Sequence, residues 1–218
     1  HGYEHSTIDP ATGNVFWRPY NSAVIYKWTR ATRSWAALPS GPNPTIAVSI
    51  QYFPELGGLV LAGAGQLHLF RESTSKWSQL ASGLAMGEYH NVASYNPIHH
   101  VVIFGGGNGS SDLYKLDAAL KVTAIQRAPV GVGILNSLFT VDPVSGRHLL
   151  FGSSGGFYQY DVGTNVWSSF NTSGMPSNFP APDSNKILFR VAVPISSYGV
   201  IAFLTDYYAS DSHARVFI

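Results

Sequence analysis

Histidine, tyrosine and arginine are the residues of this chain best suited to chemistry. His1, Tyr3 and His5 alternate, so on a strand they would project to one side. Two neutral imidazoles could ligate zinc or copper, but spacing assigns no third ligand, and a structural histidine pair is the preferred reading, with no metal expected. A second grouping is His5, Arg18, Tyr20, Tyr89 and His90. If these converged, the arginine would neutralise a uronate carboxylate and acidify the C5 proton. A histidine or tyrosine would then remove that proton, and a second group would protonate the leaving oxygen. Such a set would make the chain a polysaccharide lyase working by β-elimination. Gly105-Gly106-Gly107-Asn108-Gly109 follows a strand as a phosphate loop does, yet the next segment reads as strand and no lysine holds the P-loop place. A tight turn is the better reading there.

The elements that must position these groups repeat. Pro10, Pro54, Pro97, Pro143 and Pro194 each mark the end of a short apolar strand, at intervals of 44, 43, 46 and 51 residues. Trp35, Trp77 and Trp167 follow their prolines by 25, 23 and 24 residues, and Val122 takes the tryptophan's place in the third unit. A period of about 40–50 residues built from strands predicts β-propeller blades. Five units are expected, at about 2–40, 46–82, 89–129, 134–173 and 187–218, in one all-β array. Within each unit the first strand leads into a prolyl turn such as Asp9-Pro10-Ala11-Thr12-Gly13 or Asp142-Pro143-Val144-Ser145-Gly146, and Pro194-Ile195-Ser196-Ser197 is read the same way. The second strand is the most apolar, as in Val101-Val102-Ile103-Phe104, and small residues follow it. The third is aromatic, as in Phe157-Tyr158-Gln159-Tyr160, and the fourth opens on the tryptophan.

Small residues after strand two, an aromatic about six residues on, and tryptophan after a polar turn resemble the kelch motif, with the galactose-oxidase central propeller in the same broad group. The resemblance covers nearly the whole chain and departs from the pattern in the first unit, where Trp17-Arg18-Pro19-Tyr20-Asn21 stands in place of the glycine pair. It implies that ligands meet the face formed by the strand-two-to-three loops and the blade-to-blade connections. Carried onto this chain, that face holds Tyr3, His5, Arg18, Tyr20, Asn21, Tyr89, His90, Asn108, Asn136 and Tyr207. Tyrosine and asparagine on a preformed surface favour a sugar or peptide: flat apolar area at low entropy cost, with hydrogen-bonding tips. The chain has no cysteine, so the tyrosine–cysteine copper-radical cofactor of galactose oxidase cannot form from these residues, and no other cofactor is implied. The turns before Trp35 and Trp167 lack serine and aspartate at the spacing of sialidase turns. His99-His100 falls in a turn on the opposite face and is expected to be solvated.

Composition narrows the partners. Lysine and arginine number 13 against 12 acidic residues, and only 11% of the chain is charged, which is no footprint for nucleic acid. No apolar run approaches the roughly 20 residues of a membrane span. Low charge with many Ser, Thr, Asn and Tyr residues resembles secreted or cell-surface propellers. The fifth unit carries three strands, with Val216-Phe217-Ile218 as the third. An open array is therefore expected, a segment of a six- to eight-bladed ring completed by further blades of a longer chain or by an oligomer, with an imperfectly closed five-bladed ring as the alternative. The reading is of a ligand-binding propeller for an extracellular glycan or protein partner, with the lyase and a purely structural assembly module as alternatives.

Overall fold

The computed structural model describes residues 5–42, 48–134, 137–152, 156–171, 173, 191–205 and 215–218. Its strands form five antiparallel sheets in chain order, four of four strands and one of three. Blade 1 comprises Ser6–Ile8, Val15–Trp17, Tyr26–Thr29 and Ser34–Ala37, and blade 2 comprises Ser49–Phe53, Gly58–Gly63, Gln66–Arg71 and Lys76–Ala81. Blade 3 runs through Asn91–Asn96, Val101–Gly106, Leu113–Asp117 and Val122–Ala124, blade 4 through Ser137–Val141, His148–Gly152, Phe157–Asp161 and Val166–Ser169. Blade 5 holds Val191–Ile195, Val200–Thr205 and Arg215–Phe217. In each sheet a strand pairs with its sequence neighbours, the meander that short turns dictate. Among the described residues no helix is long and apolar enough to cross a membrane.

The first strands of successive blades lie side by side, from blade 1 through to blade 5. Alternate residues of each strand therefore face the blade before or the blade after, here called the incoming and outgoing faces. This is why the second strands are apolar throughout: Gly58–Gly63 and Val101–Gly106 are buried at every position. The core consists of what fills the gaps between sheets. Phe16 on the outgoing face of blade 1 stacks on Tyr52 of blade 2 at 5.3 Å, and Ile25 joins Ile50, Leu59, Leu61 and Phe70 in the same cluster. Polar bonds cross the gaps too: Thr7 Oγ1 accepts from the Tyr52 amide at 3.0 Å and from Gln51 Nε2 at 3.1 Å.

The repeated marks have physical reasons. Trp77 Nε1 donates to Pro39 O (3.1 Å) and Trp167 Nε1 to Gln126 O (2.9 Å), so each tryptophan ties its blade to the exit of the blade before. Asp9 and Asp142 cap their prolyl turns by accepting from the amides of Ala11 and Val144, and the turns close on Gly13 and Gly146 at φ of 73° and 70°. Pro194 breaks this pattern. It is a strand residue, opposite Ile201, and the turn that follows is Ser196–Gly199 with Gly199 at φ 65°. A proline is tolerated there because a blade's first strand is a sheet edge and its amide need not enter a ladder. Among the described residues no comparable contact brings Val191–Ile195 back to Ser6–Ile8, so the sheets form an open arc.

Candidate binding site on the loop face

Two groups of residues build the loop face. The first belongs to blade 1, where His5 and Arg18 sit opposite each other at the end of the first strand pair. The Arg18 amide donates to His5 O at 2.8 Å, and the guanidinium Nη1 lies 3.4 Å from His5 Nε2. Both are buried, at 7% and 1% exposure, on the side that Thr7 presents to blade 2. Burial, helped by the Arg18 charge, pushes the His5 pKa down to about 4, so the neutral ring accepts from Nη1. Burial also lowers the Arg18 pKa. The register-equivalent pairs are Ser49 with Ala62, Val92 with Gly105 and Leu138 with Phe151. Among the described residues of blades 1 to 4, blade 1 alone places a cation and an imidazole at this level. Tyr20 and Asn21 follow in the loop, Tyr20 exposed at 45% and Asn21 with φ 53°.

The second group stands where blade 2 passes into blade 3. Tyr89 and His90 rings are 6.2 Å apart, and His90 Nδ1 lies 3.2 Å from Asn108 Oδ1. Burial lowers the His90 pKa against the opposing effect of that bond, which leaves a neutral imidazole at pH 7. Asn108 and Tyr89 are exposed and His90 is half-buried. Two close backbone crossings hold the loops in place. Gly87 N–H donates to Gly106 O at 2.8 Å, and Gly107 N–H to Val132 O at 2.7 Å. A Cβ on Gly106 would stand 2.5 Å from Val132 O, and one on Gly107 would stand 2.5 Å from Tyr89 O. The glycine run is thus a turn gripped from both sides, with φ of 61° at Gly106 and 90° at Gly107. On the rim, Arg127 forms a two-point ion pair with Asp112 at 2.9 and 3.1 Å.

One member of this site carried no sequence signal beyond its position. Asn91, at 1% exposure, donates through Nδ2 to Gly87 O and Gly106 O, each at 2.9 Å, and so fastens both loops to the first strand of blade 3. Tyr3, Asn136 and Tyr207 lie outside the described residues, as does His1. Among the described residues no group of three or more His, Asp or Glu side chains is placed to hold a metal. His100, expected to be solvated, is exposed yet tied across the blades: its Nδ1 is 2.5 Å from Glu55 Oε1, which also accepts from Tyr95 OH at 2.8 Å.

With this architecture the protein is a β-propeller, and comparison with solved structures agrees. A fungal alcohol oxidase of the AA5 family, in complex with copper, superposes with TM-score 0.64 at 11% identity, over 92% of this chain and 48% of its own. TolB from Acinetobacter baumannii gives TM-score 0.56 at 16% identity, over 97% of this chain and 48% of TolB. A catalytically inactive virginiamycin B lyase from Staphylococcus aureus, with quinupristin, gives 0.60 at 12% identity, over 95% and 67%. The chain thus spans about half the length of the first two. At these identities the likeness is one of fold. No protein-family model and no curated protein matches the sequence.

Proposed function

We propose that this propeller is an extracellular or cell-surface recognition module that binds a glycan at Tyr89, His90 and Asn108. The observation that carries the reading is the company these residues keep: an exposed aromatic ring, a neutral imidazole and an exposed amide, on loops pinned by Asn91 and the glycine turn. Such a surface offers a stacking plane and uncharged hydrogen-bonding tips with little left to order on binding. The geometry favours recognition over uronate elimination, because Arg18 is 1% exposed and committed to His5 rather than presented to a ligand carboxylate. The low proportion of charged residues, 11%, supports a neutral ligand.

The test is a glycan panel followed by titration calorimetry on the purified protein. His90→Ala and Asn108→Ala should each weaken binding by about 2–10-fold, the worth of one hydrogen bond. Tyr89→Ala should weaken it by a similar factor. Binding unaffected by all three, or turnover of a uronate polymer with release of unsaturated ends, would overturn the assignment.

A further inference from the structure

We infer that the incoming face of blade 1 is covered by a further blade of the same repeat type, carried on the same polypeptide, whose fourth strand ends in a backbone carbonyl that accepts from Trp35 Nε1. The inference is independent of the ligand and rests on register. In blade 2 one row across the sheet reads Tyr52, Leu59, Phe70, Trp77, and in blade 4 it reads Val141, His148, Tyr160, Trp167. The corresponding row of blade 1 is Ile8, Val15, Trp28, Trp35. Both interior tryptophans donate to a carbonyl two residues beyond the preceding blade's fourth strand: Pro39 after Ala37, and Gln126 after Ala124. Trp35 has the same place in its row as these two.

The rest of that face is built for burial. Ile8 is 51% exposed and Trp17 46%, whereas Tyr52 and Leu61 at the same places in blade 2 are 6% and 1% exposed. Together Ser6, Val15, Trp17, Tyr26 and Trp35 line an open, apolar hollow of about 520 Å³. An exposed apolar area of this kind marks an interaction surface. What fits it is the partner that fits blade 2: a sheet whose outgoing face is apolar, as Phe16, Ile25 and Leu38 are in blade 1. The opposite end of the arc repeats the message. Val193, Leu204 and Val216 on the outgoing side of blade 5 are 47%, 44% and 62% exposed, so the established blade-to-blade packing is interrupted at both ends by the face it uses elsewhere.

A blade of the same polypeptide suits the site better than a second copy. A two-fold dimer either pairs this patch with itself, which would set the tryptophan row against another tryptophan row and leave blade 5 bare, or closes head to tail on blade 5, which has three strands among the described residues. It would also give Trp35 no strand-four exit like those at Pro39 and Gln126.

Hydroxyl-radical footprinting of the natural polypeptide, with light-scattering mass, tests the inference. The expected result is a monomer heavier than 23.6 kDa in which Trp17 and Trp35 oxidise no faster than Trp77 and Trp167. Oxidation of Trp17 and Trp35 several-fold faster than the interior pair would overturn it. So would protection that disappears on dilution as the mass halves, which would assign the face to a second copy. Two substitutions give a separate reading. Trp35→Phe keeps the filling and removes the N–H, and should lower Tm to the same degree as Trp77→Phe. A Tm unchanged by Trp35→Phe, with Trp77→Phe lowered, would also overturn the inference.

Discussion

Asn96, at the end of the first strand of blade 3, holds His148 of blade 4 across the interblade gap, with Nδ2 3.1 Å from the imidazole Nε2. Both residues are fully buried. The amide is fully engaged: Nδ2 also donates to Gly146 O at 2.7 Å, and Oδ1 accepts from the amides of Ile98 and His99 at 3.1 Å each. Since Nδ2 can only donate, Nε2 must accept, which places the ring proton on Nδ1. Among the described residues that Nδ1 has no hydrogen-bond partner. The ring instead stacks on Phe139 at 5.1 Å and meets Tyr160 at 6.5 Å. A proton on Nε2 would turn this acceptor into a donor facing another donor, in a fully buried site.

Acid should therefore loosen the junction of blades 3 and 4. Burial, with a smaller contribution from His99, pushes the His148 pKa from 6.5 to about 3. The unfolded chain takes up this proton as pH falls through 6.5, whereas the folded chain resists until about 3. The neutral ring's contribution is complete above pH 6.5 and is lost progressively down to about pH 3. His5, lowered to about 4, acts with the same sign over its own narrower window. The urea midpoint measured from pH 7.5 down to 4 should fall steadily. His148→Leu, which installs the residue type that Leu59 provides in blade 2, should flatten the slope. A midpoint indifferent to pH in the unmodified protein would refute the account.

How much of this was legible in the sequence depends on which neighbour a residue answers to. The prolyl turns are set within one blade, and the tryptophans, though they bond to the blade before, recur with Val122 at a fixed place in the strand pattern, so strand period and turn chemistry reveal them. Arg18, His148 and Asn96 answer to a neighbouring blade. Arg18 reads as a loop cation beside Pro19, and His148 as the polar end of the Gly146 turn, yet both are buried. Blade strands are covered on both faces, so an alternating pattern does not separate inside from outside, and a polar residue at strand end gives no sign of its depth. Pro194 misled for a related reason: its type promises a turn, and only the edge position of its strand lets it sit in a ladder.

The glycine turn supplies a discriminating pair of substitutions. At Gly107 a Cβ would stand 2.5 Å from Tyr89 O and 2.6 Å from Asn91 Nδ2, so Gly107→Ala must push apart the loops that carry Tyr89, His90 and Asn108. At Gly109 nothing lies within 4 Å, and Gly109→Ala meets only the penalty of φ 79°. Gly109→Ala should cost about 1–2 kcal/mol in stability and leave glycan affinity within about two-fold. Gly107→Ala should cost more than that and abolish binding in the fraction that stays folded. Equal effects of the two on affinity would show that the loop crossing does not shape the site.

The buried pair of blade 1 offers the last test. Replacing a buried charge by an apolar side chain of similar length removes its desolvation cost, whereas truncating His5 removes the acceptor that faces Nη1 and the packing of its ring. Arg18→Met should therefore keep the fold near its original stability, and His5→Ala should destabilise it by about 1–3 kcal/mol. The His5 pKa is held down first by burial and second by the Arg18 charge, so Arg18→Met should raise it only part of the way towards 6.5. Imidazole chemical shifts followed against pH in both proteins measure this. Full recovery to 6.5 would mean that the guanidinium, not burial, sets the state of His5. The same variant should leave glycan binding at Tyr89, His90 and Asn108 intact, because Arg18 lies buried at the end of the first strand pair of blade 1 and not on the exposed rim.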